Sequence, residues 1–200
     1  MKILHNKYKE LISADNLLGA WSEFIKGKKS KKDIQKFSLG LMDNIFELNR
    51  SLSDYTYRHG GYQEFNINDP KPRNIHKATV RDRLLHHAIH RKLYPAFDRF
   101  FIADSYSCRI GKGVHKAVKR FEFFSKIISR NNSRTCWILK CDIKKFFDSI
   151  DHKILIYILA QKIMDKKILW LLNETIGSFD RAKTQLTLFE RERERERERE

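Results

Sequence analysis

Asp142 stands near the end of an apolar, β-branched run, Thr135 to Ile143, and is followed by Lys144, Lys145, Phe146 and Phe147. Aspartate is a poor strand former, and an ionised carboxylate beside an apolar core needs a partner, most simply a cation. Phosphoryl transfer demands such a group, because side-chain oxygens on a rigid element can fix divalent ions against phosphate oxygens. The same aspartate serves equally well as the cap of the turn that follows, so this segment alone leaves both roles open.

Other reactive-looking residues point less sharply. SYSCRIGKG (105–113) sets glycines on either side of Lys112 just before a helical pattern. The first N–H groups of such a helix lack partners and its dipole is positive there, which suits an anion. The GKG is not a phosphate-binding P-loop, since GxxxxGK[ST] is absent. His86 and His90 have metal-ligand spacing, but no Glu stands beside them as in HExxH and no third ligand is evident, so with His87 they read as ordinary helix histidines. Arg81, Asp82 and Arg83 fit an intramolecular ion-pair cluster as well as a binding site. Cys108, Cys136 and Cys141 form an odd set without CxxC spacing, which argues against a disulfide framework or a zinc knuckle. They read as small core residues.

The formal charge is +16, and its distribution narrows the partner. Residues 71–145 hold 19 basic and 5 acidic side chains, interleaved with aromatics and apolar periodicity. That pattern is expected of a folded surface following a phosphate backbone. The N-terminus lacks the apolar region of a signal peptide and no long apolar run follows, so the reading is a cytoplasmic protein with no membrane partner.

The elements that must position these residues follow from periodicity. Leu17, Leu18, Trp21, Phe24 and Ile25 predict a helix capped by Asp15 or Asn16, and Ile34, Phe37, Leu41, Ile45 and Leu48 predict a second after the turn GKKSKK. Tyr62, Phe65 and Ile67, the Asp69-Pro70 turn and Arg73 to Val80 predict a β-hairpin with a basic tip. A helix from Arg81 carries Leu84, Leu85, Ala88, Ile89 and Leu93 and should end at Pro95. Another carries Val114, Ala117, Val118, Phe121 and Phe124 on one face. TCWILKCDI (135–143) then predicts a strand, and Asp148, Ser149 or Asp151 caps a helix with Ile154, Leu155, Ile158 and Leu159. Helices, hairpin, helices and then a strand make an α+β chain. The closing residues 190–200 alternate Glu and Arg without exception, as a GA dinucleotide repeat would encode, and read as low-complexity sequence from a truncated or misassembled gene.

CDIKKFFDSIDH resembles the first palm motif of bacterial reverse transcriptases. DPKPRNIHKATVRDRLLHHAI resembles their fingers hairpin, and SYSCRIGKGVHKA the next fingers segment. NLLGAWSEFIKGKKSKKDIQKF has the look of the leading region, so the resemblance covers about residues 15–178. The HHAI and GKG forms lean toward retron-type and diversity-generating-retroelement enzymes rather than group II intron maturases.

The resemblance implies a right-hand polymerase fold, with fingers over 1–134, the start of the palm with its first catalytic strand over 135–180, and the Glu/Arg tail over 181–200. It implies an RNA-directed DNA polymerase that adds a deoxynucleotide to a DNA or RNA primer on an RNA template, using two Mg²⁺ ions. Asp142 is then the catalytic metal ligand, the backbone carbonyl of Ile143 completes the metal shell, and Phe147 excludes a ribose 2′-OH. Asp148 and Asp151 are not ligands on this match. Arg73 of the R-x-I pattern contacts the triphosphate, with Lys71 as second candidate, and Arg109 and Lys112 fall near template and nucleotide. The family's Tyr-x-Asp-Asp hairpin has no counterpart, since no Asp-Asp pair occurs in the chain. The 200 residues are therefore expected to bind but not polymerise. Two other readings are a non-catalytic basic RNA-binding module, which would tolerate Asn at position 142, and a pseudogene fragment.

Overall fold

A computed structural model describes residues 4–68 and 70–179; Asp69 of the expected turn, the side chain of Asp148 and the Glu/Arg tail lie outside the described residues. The chain forms two compact units, Met1–Leu93 with Asp151–Glu200, and Tyr94–Ile150. The first unit is built on helices α1 (Tyr8–Ile12), α2 (Ala14–Phe24), α3 (Lys32–Leu39) and α4 (Leu41–Ser53), strands β1 (Tyr62–Ile67) and β2 (Arg73–Ala78), and most of α5 (Val80–Phe97). After the second unit the chain returns as α8 (His152–Lys162) and α9 (166–179). Tyr94–Ile150 contains a 3-10 turn (Asp98–Phe100), α6 (Val114–Ile128) and the short α7 (Phe146–Ser149).

The first unit packs Leu11, Leu17, Ile45, Leu84, Ile168 and Leu171 out of solvent. Asn16, expected as a cap, is instead buried: its side-chain amide donates to the carbonyls of Leu11 (2.7 Å) and Ala88 (3.2 Å) and its oxygen accepts from Arg91 (3.1 Å). The cap of α2 is Ser13, whose hydroxyl accepts from the Asn16 N–H at 3.2 Å. The single helix expected from Ile34 to Leu48 is broken at Gly40, and Asn44 donates to the freed Phe37 carbonyl at 2.9 Å. Helix α5 passes through Pro95 and ends two residues later. The proline's missing donor and its ring bear on the residue four positions earlier, Arg91, so the disturbance falls on one turn near the end of the helix.

The largest departure is at 135–143. No strand forms there; among the described residues the sheet is the two-stranded β1–β2 hairpin. Apolar and β-branched content predicts a surface that fits a sheet, but a strand exists only against a partner that takes its N–H and C=O groups. Here Trp137 is 92% and Leu139 88% exposed. The three cysteines follow the same pattern, with Cys108 and Cys141 exposed and Cys136 half-buried rather than in a core. Asp151 caps α8 as expected, accepting from the N–H groups of Lys153 (2.8 Å) and Ile154 (3.0 Å). No helix among the described residues is long and apolar enough to cross a membrane.

Candidate nucleic-acid interface

In the first unit the hairpin carries Arg73 and Lys71 outward. The strands are antiparallel in the register Tyr62↔Ala78 to Ile67↔Arg73, so Arg73 lies at the far end of six paired positions. At ~3.4 Å per residue the arm reaches roughly 17–20 Å from its base. Arg73 and Lys71 are both exposed. His76 pairs with Glu64 across the strands at 3.0 Å, and Lys77 meets Asp33 of α3 at 2.7 Å. Arg83 reaches the same carboxylate at 2.6 Å. The two cations hold the Asp33 carboxyl down to about 2.

The base of the arm is closed by a buried carboxylate. Asp82 is fully buried and accepts from the Thr79 hydroxyl (2.6 Å), the Tyr57 hydroxyl (2.9 Å) and the Gly60 N–H (3.0 Å). Burial alone would raise its pKa, but the Thr79 hydrogen bond, the charge of His59, the Tyr57 bond and the Arg81 guanidinium together keep it below the ordinary range. Gly60 is required by this closure: a Cβ there would stand 2.8 Å from an Asp82 oxygen and 2.9 Å from the Thr79 methyl. The Nε2 atoms of His59 and His86 lie 3.2 Å apart, so one ring donates and the other accepts. Burial, with the neighbouring His59, lowers His86 to about 4. The histidines of HHxxH thus part: His86 joins this network, and His87 packs on the Phe24 ring at 5.3 Å between centroids. Arg81 likewise turns inward, to Asp82 and to the Arg58 carbonyl at 2.7 Å.

In the second unit Arg109 and Lys112 come together in one loop, joined by an antiparallel bridge. Arg109 is turned into the loop's own architecture. It grips Asp98 with two nitrogens (2.7 and 3.2 Å) and donates to the carbonyls of Ile102 and Ser105. Gly111, at φ +72°, takes the left-handed turn that brings the chain back to α6. Lys112 donates to the Ala103 carbonyl and lies 5.7 Å from the Tyr106 ring centre. A groove of about 650 Å³ opens beside it, lined by Tyr106, Lys112, Lys116, Lys119, Arg120 and Phe123. Arg120 is tied to Asp104 at 2.9 Å, whereas Lys116 and Lys119 have no ion-pair partner among the described residues. Neither lysine was singled out from sequence, although their spacing with Phe123 puts all three on one side of α6.

Asp142, Ile143 and Phe147 occupy a separate exposed stretch of the same unit. Ile143 is 62% and Phe147 83% exposed, and the Phe147 ring meets Phe146 edge-on at 5.2 Å. Lys145 takes a left-handed backbone, φ +51°, and starts α7. Among the described residues no three His, Cys, Asp or Glu side chains gather as a metal site. Asp142 therefore supplies one carboxylate and does not by itself fit a pair of ions.

Comparison with known proteins adds a family. The sequence model described as Reverse transcriptase (RNA-dependent DNA polymerase) matches residues 67–196. The chain is 30% identical over 129 residues to the Group II intron-encoded protein LtrA of Lactococcus lactis subsp. cremoris, covering 63% of this chain and 20% of that one. It is 26% identical over 106 residues to Protein YkfC of Escherichia coli (strain K12), covering 53% and 27%. With Nuclear intron maturase 1, mitochondrial, of Arabidopsis thaliana the figures are 24% over 105 residues, 52% and 14%. The chain thus spans about a quarter or less of the length of these relatives. Two of them bear intron names.

Proposed function

Since the chain belongs to the reverse transcriptase (RNA-dependent DNA polymerase) family, we propose that it supplies the fingers and the first palm segment of an enzyme that copies RNA into DNA. The observation that carries this reading is the family match over 67–196 together with the exposed cationic arm and groove inside that range. Arg73, at the tip of a hairpin locked by Asp82, is the group offered to a deoxynucleotide triphosphate. Lys71 stands behind it. Lys112, Lys116 and Lys119 follow the phosphates of the RNA template or its primer, and Arg109 holds the loop that presents them. Asp142 is offered as one carboxylate of the Mg²⁺ centre, with the Ile143 carbonyl beside it; no Asp-Asp pair occurs in the sequence to complete that centre, so the 200-residue chain is not expected to polymerise. Phe147 is the ring that would collide with a 2′-OH. If so, Phe147→Val in an active enzyme admits ribonucleotides, and unchanged discrimination would make it a packing residue.

A filter-binding titration of the chain with an RNA–DNA primer–template duplex tests the interface. For roughly six phosphate contacts the affinity should fall on the order of a thousandfold between 50 and 200 mM salt. A flat dependence would contradict the proposed surface. A non-catalytic RNA binder would share that salt dependence but tolerate Asp142→Asn.

A further inference from the structure

Charge counted along the sequence and charge left free by the fold are distributed differently. Within 71–145, seven of the 19 basic side chains are held by carboxylates of the described residues: Lys77 and Arg83 by Asp33, Arg81 by Asp82, Arg91 by Glu23, Lys92 by Glu10, Arg109 by Asp98 and Arg120 by Asp104. In the turn between α2 and α3 none is. From 26 to 36 it carries six lysines, at 26, 28, 29, 31, 32 and 36, and one acid, Asp33. None of those lysines forms an ion pair with a carboxylate among the described residues, and Asp33 faces Lys77 and Arg83 instead. Six positive charges within eleven residues are thus uncompensated by a local partner, which makes a local field of one sign.

The turn is also built to hold its shape. The Lys28 N–H donates to the Ile25 carbonyl at 2.9 Å and the Lys31 N–H to the Lys28 carbonyl at 3.0 Å. Gly27 takes the left-handed backbone, φ +69°, that lets the chain reverse there. Phe24 and Ile34 flank the turn, and each is 2% exposed, so both ends are rooted in the core. Lys28 stands 4.4 Å from the Phe24 ring centre. Lys32 and Lys36 lie one helical turn apart on the same side of α3. Between 26 and 36 the one apolar side chain is the buried Ile34, leaving nothing to insert into a bilayer.

We propose that the lysine turn at 26–36 is a second nucleic-acid contact surface, on the first unit, that takes the phosphate backbone of an RNA duplex without reading its bases. It rests neither on Asp142 nor on the hairpin arm, and it lies outside the residues matched by the family. Its role is to anchor structured RNA to the chain by charge and shape.

The test measures binding of a labelled, mixed-sequence RNA duplex by the 200-residue chain across a salt series. One variant combines Lys28→Gln, Lys29→Gln, Lys31→Gln and Lys32→Gln; another combines Lys116→Gln and Lys119→Gln in the groove. Five of the six side chains are exposed and Lys28 is half-buried over the Phe24 ring, and none forms an ion pair among the described residues, so circular dichroism should show both variants folded. With four phosphate contacts removed, the turn variant should lose about tenfold or more in affinity near 100 mM salt, and the slope of log K against log salt should become shallower by about 3 to 4. Parental affinity and slope in the turn variant would overturn the inference. If the turn variant weakens while the groove variant does not, the turn stands and the groove reading fails; the opposite result rejects the turn and leaves the groove intact. Lysine-dependent capture on phosphatidylserine vesicles, with RNA binding unchanged by the four substitutions, would also overturn it.

Discussion

Two regions of this chain have similar apolar content and opposite use for it. In the unit of Met1–Leu93 and Asp151–Glu200, side chains such as Leu17, Leu48, Leu84 and Leu171 are fully buried, and Asp82, Tyr57 and Asn16 are satisfied by internal hydrogen bonds. In Tyr94–Ile150 no described apolar residue is buried, and Val118, Phe121, Phe124 and Ile128 form an open stripe along α6. What holds that second unit is polar: the Asp98–Arg109 grip and the Asp104–Arg120 pair. Ion pairs near the surface contribute about 0–1 kcal/mol each, whereas each large buried side chain contributes roughly 1.5–3 kcal/mol. The contrast separates two things that periodicity merges, the presence of an apolar face and the presence of something to cover it.

Truncation inside the first core is the strongest way to break this contrast. Leu171→Ala should lower unfolding free energy by about 2–5 kcal/mol in urea titrations; a cost under about 1 kcal/mol would mean that the core is not where the burial places it. Next comes the lock at the hairpin base. Asp82→Asn presents an amide where the Thr79 hydroxyl and the Gly60 N–H both donate, and should cost about 2–3 kcal/mol while hydrogen exchange at β1 and β2 accelerates. Unchanged exchange there would release the arm from Asp82.

Proton uptake sharpens the comparison by a somewhat smaller amount. His86 stays neutral in the folded chain down to about 4, while the unfolded imidazole takes its proton near 6.5. The unfolded state therefore binds more protons between those values, so stability is full above about pH 6.5 and declines as pH falls toward 4. The loss should reach about 2 kcal/mol near pH 5. In His86→Asn the decline across that window should flatten; an undiminished slope would assign it to other groups. The smallest effect is expected in the second unit, where Phe121→Ser should change stability by no more than about 0.5 kcal/mol. A loss of several kcal/mol would show that the α6 stripe is covered in solution.

Much of the first unit could be read from residue order alone. Helical spacing located α2 and α5 there and α6 in the second unit, and alternation with turn residues located the hairpin, because those patterns are local. The five-residue α1 was too short to register, and α9 was not singled out although Ile168, Leu171 and Leu172 are buried on it. The strand expected at 135–143 failed because pairing is not local: β-branched residues favour a sheet surface but supply no neighbour. At the proposed site, Arg73 and Phe147 are named through motif resemblance and Asp142 also through its place at the end of an apolar run, whereas no pattern names the carboxylates that hold Lys77, Arg83 and Arg109. Asp33 lies far from Arg83 in the sequence, and no spacing rule connects them.

The central proposal is that Asp142 serves as a catalytic carboxylate in an enzyme that copies RNA into DNA. It is tested most directly by template-directed primer extension, with Mg²⁺, by an enzyme in which this chain is joined to the further palm carboxylates, compared with its Asp142→Asn variant and with the 200-residue chain alone. The account predicts extension by the joined enzyme, none above background by Asp142→Asn, and none by the chain alone although it still binds the duplex. Extension that survives Asp142→Asn would contradict the assignment of the motif, and Asp142-dependent extension by the chain alone would show that the remaining carboxylates lie within these 200 residues.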